Sequence, residues 1–253
     1  MAQNEILQAF QNIIARSSDH YYRPDQIDQM IKDVRHWFRF SVNKGEKLFN
    51  VPAAFDIETS SFYTPDGHKA ACMYVWMLGI FGAVMVGRTW SEFIHVINRL
   101  SEILQLNDKK RFVIYVHNLG YEFQWMRKYF AWPRVFAMDT RKPIYAITDN
   151  GIEFRCSYLL SGYSLEILSD QLTLIPISKK VGDLDYSLIR HNKTPLTDKE
   201  IGYCLNDVRI VMAYIAEKII QDGGITKIPI TKTGYVRHFV RKVCFHEAET
   251  EIV

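Results

Sequence analysis

The sequence predicts an α/β fold, a central sheet flanked by helices with a helical extension at its N-terminus. Three observations point there. Apolar residues recur at helical spacing through roughly the first 40 residues, the pattern turns strand-like near residue 47, and strands and helices then alternate. With 253 residues, 48% of them hydrophobic, the chain can bury a sizeable core, which argues against disorder.

Residues 1–45 are expected to form the helical extension. Ile6, Phe10, Ile13 and Ile14 share one helix face; Pro24 opens a second helix on which Ile27, Met30, Ile31, Val34 and Phe38 repeat. A main domain is expected over residues 46–224. Its first strand runs from Phe49 to Ile57, and Cys72–Ile80 with Ala83–Arg88 makes a hairpin about Phe81-Gly82. Ser91 is placed to cap a helix whose stripe is Phe93, Ile94, Ile97, Leu100 and Leu104. Phe112–Val116 reads as a buried strand that leads through His117-Asn118 into a helix ending near Tyr129. Residues 141–155 read as a hairpin turning on Asn150-Gly151. Ser164 caps a short helix through Leu168, and residues 175–187 read as loop. Thr197, with Glu200 at the capping-box position, opens a long helix to about Gln221, which Gly223-Gly224 ends. Residues 225–253 form a linker and a helix from about Gly234 to Glu247, where Arg237, His238, Arg241 and Lys242 cluster as a basic face.

Composition excludes more than it assigns. A net charge of +3 is too small to diagnose nucleic-acid binding, because the footprint that matters is local. Cys72, Cys156, Cys204 and Cys244 are far apart without a Cys-x-x-Cys, so neither zinc nor a disulfide framework is signalled. They fit a reduced, intracellular setting, and a cytoplasmic location is expected, the host's if the protein is viral. The N-terminus lacks the basic and apolar regions of a signal peptide. Ala70–Gly87 carries no charge over 18 residues, the lower edge for a membrane span, but its Gly79, Gly82 and β-branched residues fit two short buried strands better. No glycine-rich nucleotide-binding motif is present.

The chemistry centres on Phe55-Asp56-Ile57-Glu58-Thr59. Side chains alternate along a strand, so Asp56 and Glu58 face the same way, about 7 Å apart. Two carboxylates so close call for a counterion, and oxygen ligands suit Mg²⁺ or Mn²⁺. Glu122 starts the helix after a buried strand, with Asn118 one turn earlier. Tyr203 and Asp207 stand four apart on the long helix, which puts a phenol and a carboxylate on one face.

In this order the three groups resemble the Exo I, Exo II and Exo III motifs of proofreading exonucleases. The likeness narrows to the 3′-5′ exonuclease domain of family B DNA polymerases, the protein-primed enzymes of tailed bacteriophages in particular. It is carried by His117-Asn118-Leu119-Gly120-Tyr121-Glu122, Ser164-Leu165-x-x-Leu168 and Gly182-Asp183-Leu184-Asp185-Tyr186, and spans residues 51–221. It implies a ribonuclease H-like (DnaQ-like) fold with a mixed central sheet, and two divalent metal ions held by Asp56, Glu58, Glu122 and Asp207. Tyr203 would orient the attacking water. Thr59, Asn118, Tyr121, Ser164, Leu165 and Tyr186 would hold the last nucleotides of a single-stranded DNA 3′ end. Lys179 and Lys180 would meet phosphates.

Three departures stand out. The family usually has Asp at Glu122 and Lys at Val181, where Lys180 comes one place earlier; and no Asp-x-x-Ser-Leu-Tyr-Pro motif of a polymerase occurs before Val253. A polymerase domain in a longer chain and a priming terminal protein are the partners the resemblance implies. Two rival readings remain: a catalytically inactive ribonuclease H-like module that binds DNA or protein, and an exonuclease that trims RNA.

Overall fold

A computed structural model describes residues 3–16, 20–180 and 184–250. The N-terminal extension begins as expected, with helix α1 (Gln3–Arg16) and helix α2 (Ile27–Val34), each giving its apolar stripe to the core. Phe10 meets Phe81 edge-on and Trp37 stacks on the same ring, so the extension is fastened to the sheet by aromatic contacts. It is not helical to its end. Phe40–Asn43 is strand β1, turned through Lys44-Gly45 into β2 (Glu46–Phe49). Both turn residues have positive φ, the geometry of a tight hairpin.

The expected first strand, Phe49–Ile57, is really two, because Pro52 cannot donate to a ladder. β2 stops at Phe49, and β3 (Ala53–Tyr63) starts after the proline. β4 (Lys69–Ile80) and β5 (Ala83–Gly87) form the hairpin about Phe81-Gly82. The uncharged stretch is thus two sheet strands, and no described helix is long and apolar enough to cross a membrane. Helix α3 (Trp90–Leu104) is capped by Thr89, not Ser91: the Thr89 hydroxyl accepts from the Glu92 N–H while the Glu92 carboxylate returns the bond.

β6 (Lys110–Val116) leads to helix α4 (Leu119–Met126). An unexpected strand, β7 (Arg134–Ala137), lies against β8 (Pro143–Ile147), which pairs with β9 (Ile152–Cys156) across the Asn150-Gly151 turn. Short helices α5 (Ser157–Ser161) and α6 (Leu165–Asp170) follow, then the long α7 (Asp198–Asp222) and the terminal α8 (Lys232–Thr250). Thr197 and Glu200 form the capping box of α7, and Gly223 ends it in the left-handed conformation.

The sheet order is β5-β4-β3-β6-β9-β8-β7, with β2 also pairing with β6. β3, β6 and β9 run parallel, and both flanks are antiparallel, so the sheet is mixed. Helices cover both faces. Phe55 stacks on Phe93 of α3 at 4.4 Å, so the opposite face of β3, which bears Asp56 and Glu58, is left to α7. Gly79 on β4 lets α7 come close: a Cβ there would stand 2.5 Å from Met212 Cε and 2.7 Å from Val208.

Candidate active site

Four carboxylates meet where the parallel centre of the sheet ends. Asp56 lies one residue beyond the last rung of the β3–β6 ladder, Phe55 opposite Val116. Glu58 follows on the same face, and the β3–β4 register then shifts between Glu58 and Thr59. Such a bulge bends a strand and re-aims its side chains. α7, held against β3 and β4, supplies Asp207. Ligand oxygens of Asp56, Glu58 and Asp207 all lie within 4.8 Å of one another. Glu122 arrives from the first turn of α4 and faces Asp56; it is 4% exposed, and its Oε2 is buried without a hydrogen-bond partner.

Electrostatics shows what this cluster lacks. Burial, then the neighbouring carboxylates, pushes Glu58 up to about 9, and burial and Asp207 push Asp56 up to about 7. Burial and Asp56 likewise raise Glu122, and burial raises Asp207. Among the described residues Lys179 is the cation paired with them, and Arg190 adds a weaker pull on Glu58. Lys179 is paired with Asp207 and lies 4.1 Å from the centre of the Tyr203 ring. A triad of oxygen donors, an orphaned carboxylate oxygen and unrelieved like charge together fit a divalent cation, with hard oxygen ligands suited to Mg²⁺ or Mn²⁺. Asp56, Glu58 and Asp207 would hold it, with Glu122 offering Oε2 beside Asp56.

Around the cage the structure gathers most of the expected residues. Tyr203 sits one turn before Asp207 and shares a 3.2 Å hydroxyl–hydroxyl hydrogen bond with Tyr186. Burial pushes the Tyr203 phenol up to about 12, so it stays neutral and can donate. The loop that carries Tyr186 is pinned by Arg190. Its guanidinium holds Glu200 and the Asp185 carbonyl, and its N–H donates to Ser60 at 2.9 Å. Thr59 and Tyr121 join hydroxyl to hydroxyl at 2.5 Å, which leaves the Tyr121 ring 43% exposed beside the acids. Leu165 and His117 line a cavity of about 180 Å³ with Asp56 and Asp207. Ser164 spends its hydroxyl on capping α6, accepting from the Ile167 N–H. Asn118, in the left-handed conformation (φ 78°), is exposed where β6 turns into α4.

Two residues change standing. Lys180 does not face the acids: it is exposed, with its Nζ over Gly202, and its backbone N–H donates to Asn206. Lys179 takes the cationic place instead. The Asn206 side chain fixes that register, since it accepts from Lys180 N–H and donates to the Ser178 carbonyl, bracketing Lys179. His117 is the second addition. Burial, then the charge of Lys179, lowers it to about 4, and it shares a 3.1 Å hydrogen bond with Ser157. His117 opens one of the quoted motifs and Lys179 was expected to meet phosphates, but no spacing rule gave either a place beside the carboxylates. Val181, Gly182 and Asp183 lie outside the described residues.

No family model matches the chain, and no curated protein matches it. Solved structures do. Phi29 DNA polymerase complexed with primer-template DNA is similar at a TM-score of 0.56 and 13% identity, over 72% of this chain and 33% of that one. The same polymerase with primer-template DNA and incoming nucleotides gives 0.54 and 13%, over 68% and 31%. The catalytic core of RRP6 from Trypanosoma brucei aligns at 0.42 and 10%, over 78% and 45%. The chain thus spans about a third of the polymerases it resembles. The likeness is one of fold: a ribonuclease H-like mixed sheet flanked by helices.

Proposed function

We propose that this protein is a two-metal 3′-5′ exonuclease that trims single-stranded DNA. The observation that carries this reading is the buried cage of Asp56, Glu58, Asp207 and Glu122, whose charge its one lysine does not balance. Bound divalent cations would activate the attacking water and stabilise the departing 3′ oxygen. Asp56, Glu58, Asp207 and Glu122 would be the residues that hold them. Tyr203 would orient the water by donating a hydrogen bond, held in place by Tyr186 and by Lys179 against its ring. Tyr121 offers an exposed face on which a terminal base could stack, and Leu165 and His117 form the wall of the adjoining cavity. Thr59, Asn118, Ser164, Tyr186 and the exposed Lys180, which would meet a phosphate, complete the nucleotide-binding set of this reading.

In the same reading the trimming is proofreading, performed beside a polymerase domain, with a priming terminal protein as a further partner. The fold it shares with Phi29 DNA polymerase supports that context. Asp56→Ala tests the whole assignment. The variant should fold normally and lose Mg²⁺- or Mn²⁺-dependent trimming of a single-stranded DNA oligomer; trimming at the parent rate would sink the proposal. Running RNA of the same sequence alongside identifies the sugar the site accepts, since only 2′-hydroxyl contacts separate the two.

A further inference from the structure

We infer that the groove between α8 and the preceding loop is a second nucleic-acid site, one that holds the 5′ continuation of the strand whose 3′ end reaches the carboxylates. This rests on the nucleic-acid reading above and extends it to a surface outside the catalytic cage. The charge distribution is the first support. Residues 225–244 carry five Lys and Arg (Lys227, Lys232, Arg237, Arg241 and Lys242) and no Asp or Glu. The rest of the chain is therefore net −2, its total of +3 less these five. Of these, Lys227, Arg237 and Arg241 line the groove, and a local patch, not the sum, is the footprint of a polyanion site.

The shape is the second support. A groove of about 1080 Å³ is lined by Lys227, Arg237, His238 and Arg241, with Phe239 among them at 68% exposure. A solvated basic face does not need an exposed phenylalanine in its midst. Cations with an interleaved aromatic ring suit a single strand, which offers phosphates and unstacked bases together. Asp222, the acid in the groove wall, is engaged by the Tyr235 hydroxyl.

Continuity with the cage is the third. The Lys232 ammonium at the start of α8 lies 4.5 Å from the centre of the Tyr163 ring. Its stem crosses Gly162, where a Cβ would stand 2.8 Å from Lys232 Cδ. Tyr163 precedes Ser164 and Leu165, and Leu165 lines the catalytic cavity. An aromatic ring and an ammonium thus stand between the segment that lines the catalytic cavity and the start of α8.

The test uses the full chain in chelator, with labelled single-stranded DNA of about 5 and about 20 nucleotides, read by anisotropy across a salt series. The longer oligomer should bind at least about tenfold more tightly. Replacing Lys227, Arg237 and Arg241 together by Ala should erase that gain and reduce the slope of log affinity against log salt by about 2. Mg²⁺-dependent trimming of the short oligomer should be unchanged. Phe239→Ala should weaken the longer oligomer about tenfold, and exchange of Arg237 and Arg241 for Lys should preserve most of the gain. If the triple variant holds the longer oligomer as the parent does, or if polyglutamate of equal charge competes as well as DNA, the groove is not this site. A parent protein that shows the length gain but trims nothing would support the groove and overturn the nuclease reading instead.

Discussion

Two clusters of buried charge sit on the same sheet and are built on opposite principles. In one, Glu153 on β9 lies between Arg111 at 2.8 Å and Arg155 at 2.7 Å, and Arg111 also holds Glu46 at 2.8 Å. Two guanidinium groups answer two carboxylates. Although burial works to raise the Glu153 carboxyl, Arg155 and Arg111 bring it below its ordinary range. In the other, four carboxylates have one ion-paired lysine among the described residues, and every one of the four is raised. The first cluster is complete within the chain and serves the fold. The second leaves its carboxylates without matching cations among the described residues, the pattern that marks a candidate site and not a structural network.

That contrast can be broken by substitution. Removing a cage charge should destroy function and leave stability intact or improved: Glu58→Gln is expected to slow trimming more than about a thousandfold, over 4 kcal/mol. In chelator the same variant should melt above the parent, because a repulsion is relieved. A lower melting temperature would mean that the cage is structural after all. Removing the network acid should do the reverse. Glu153→Ala strands two buried guanidinium groups and should cost about 3–4 kcal/mol in urea unfolding, with trimming unchanged at permissive temperature.

A pH series sharpens the comparison further. Asp56 and Glu58 are raised in the folded state from 3.8 and 4.5 to about 7 and about 9. The folded protein therefore binds more protons than the unfolded chain between these limits. Stability from the cage is present at low pH and lost as pH rises through the folded values. In chelator the melting temperature should fall between about pH 5 and about pH 8, and Mn²⁺ should cancel the fall. The Glu153 network, lowered and not raised, has the opposite sign and makes no such contribution in that window. The smallest expected effect is Glu122→Asp. If glutamate only extends the reach of the carboxylate to Asp56, the shorter acid should trim at the parent rate or faster, and a collapse would show that the cage is built around the longer side chain.

Features with short-range causes were legible in the residues alone. Alternation along β3 put Asp56 and Glu58 on one face, and the turn at Phe81-Gly82 made the β4–β5 hairpin. Thr197 and Glu200 announced the start of α7, and with it the shared face of Tyr203 and Asp207. Each rests on contacts between residues a few positions apart, so each left a local pattern. Strands β1 and β7 and the cap at Thr89 escaped because their patterns are short and have close competitors, such as Ser91 two residues on. Which lysine faces the carboxylates depended on the tertiary structure. Lys179 and Lys180 are neighbours of the same type, and the choice between them is made by Asn206, 26 and 28 residues away from the backbone groups it holds. It also decided how strongly the carboxylates repel. That depends on how closely α7 seats on β3 and β4 over Gly79 and on how much water it excludes, a burial that no residue brings about alone.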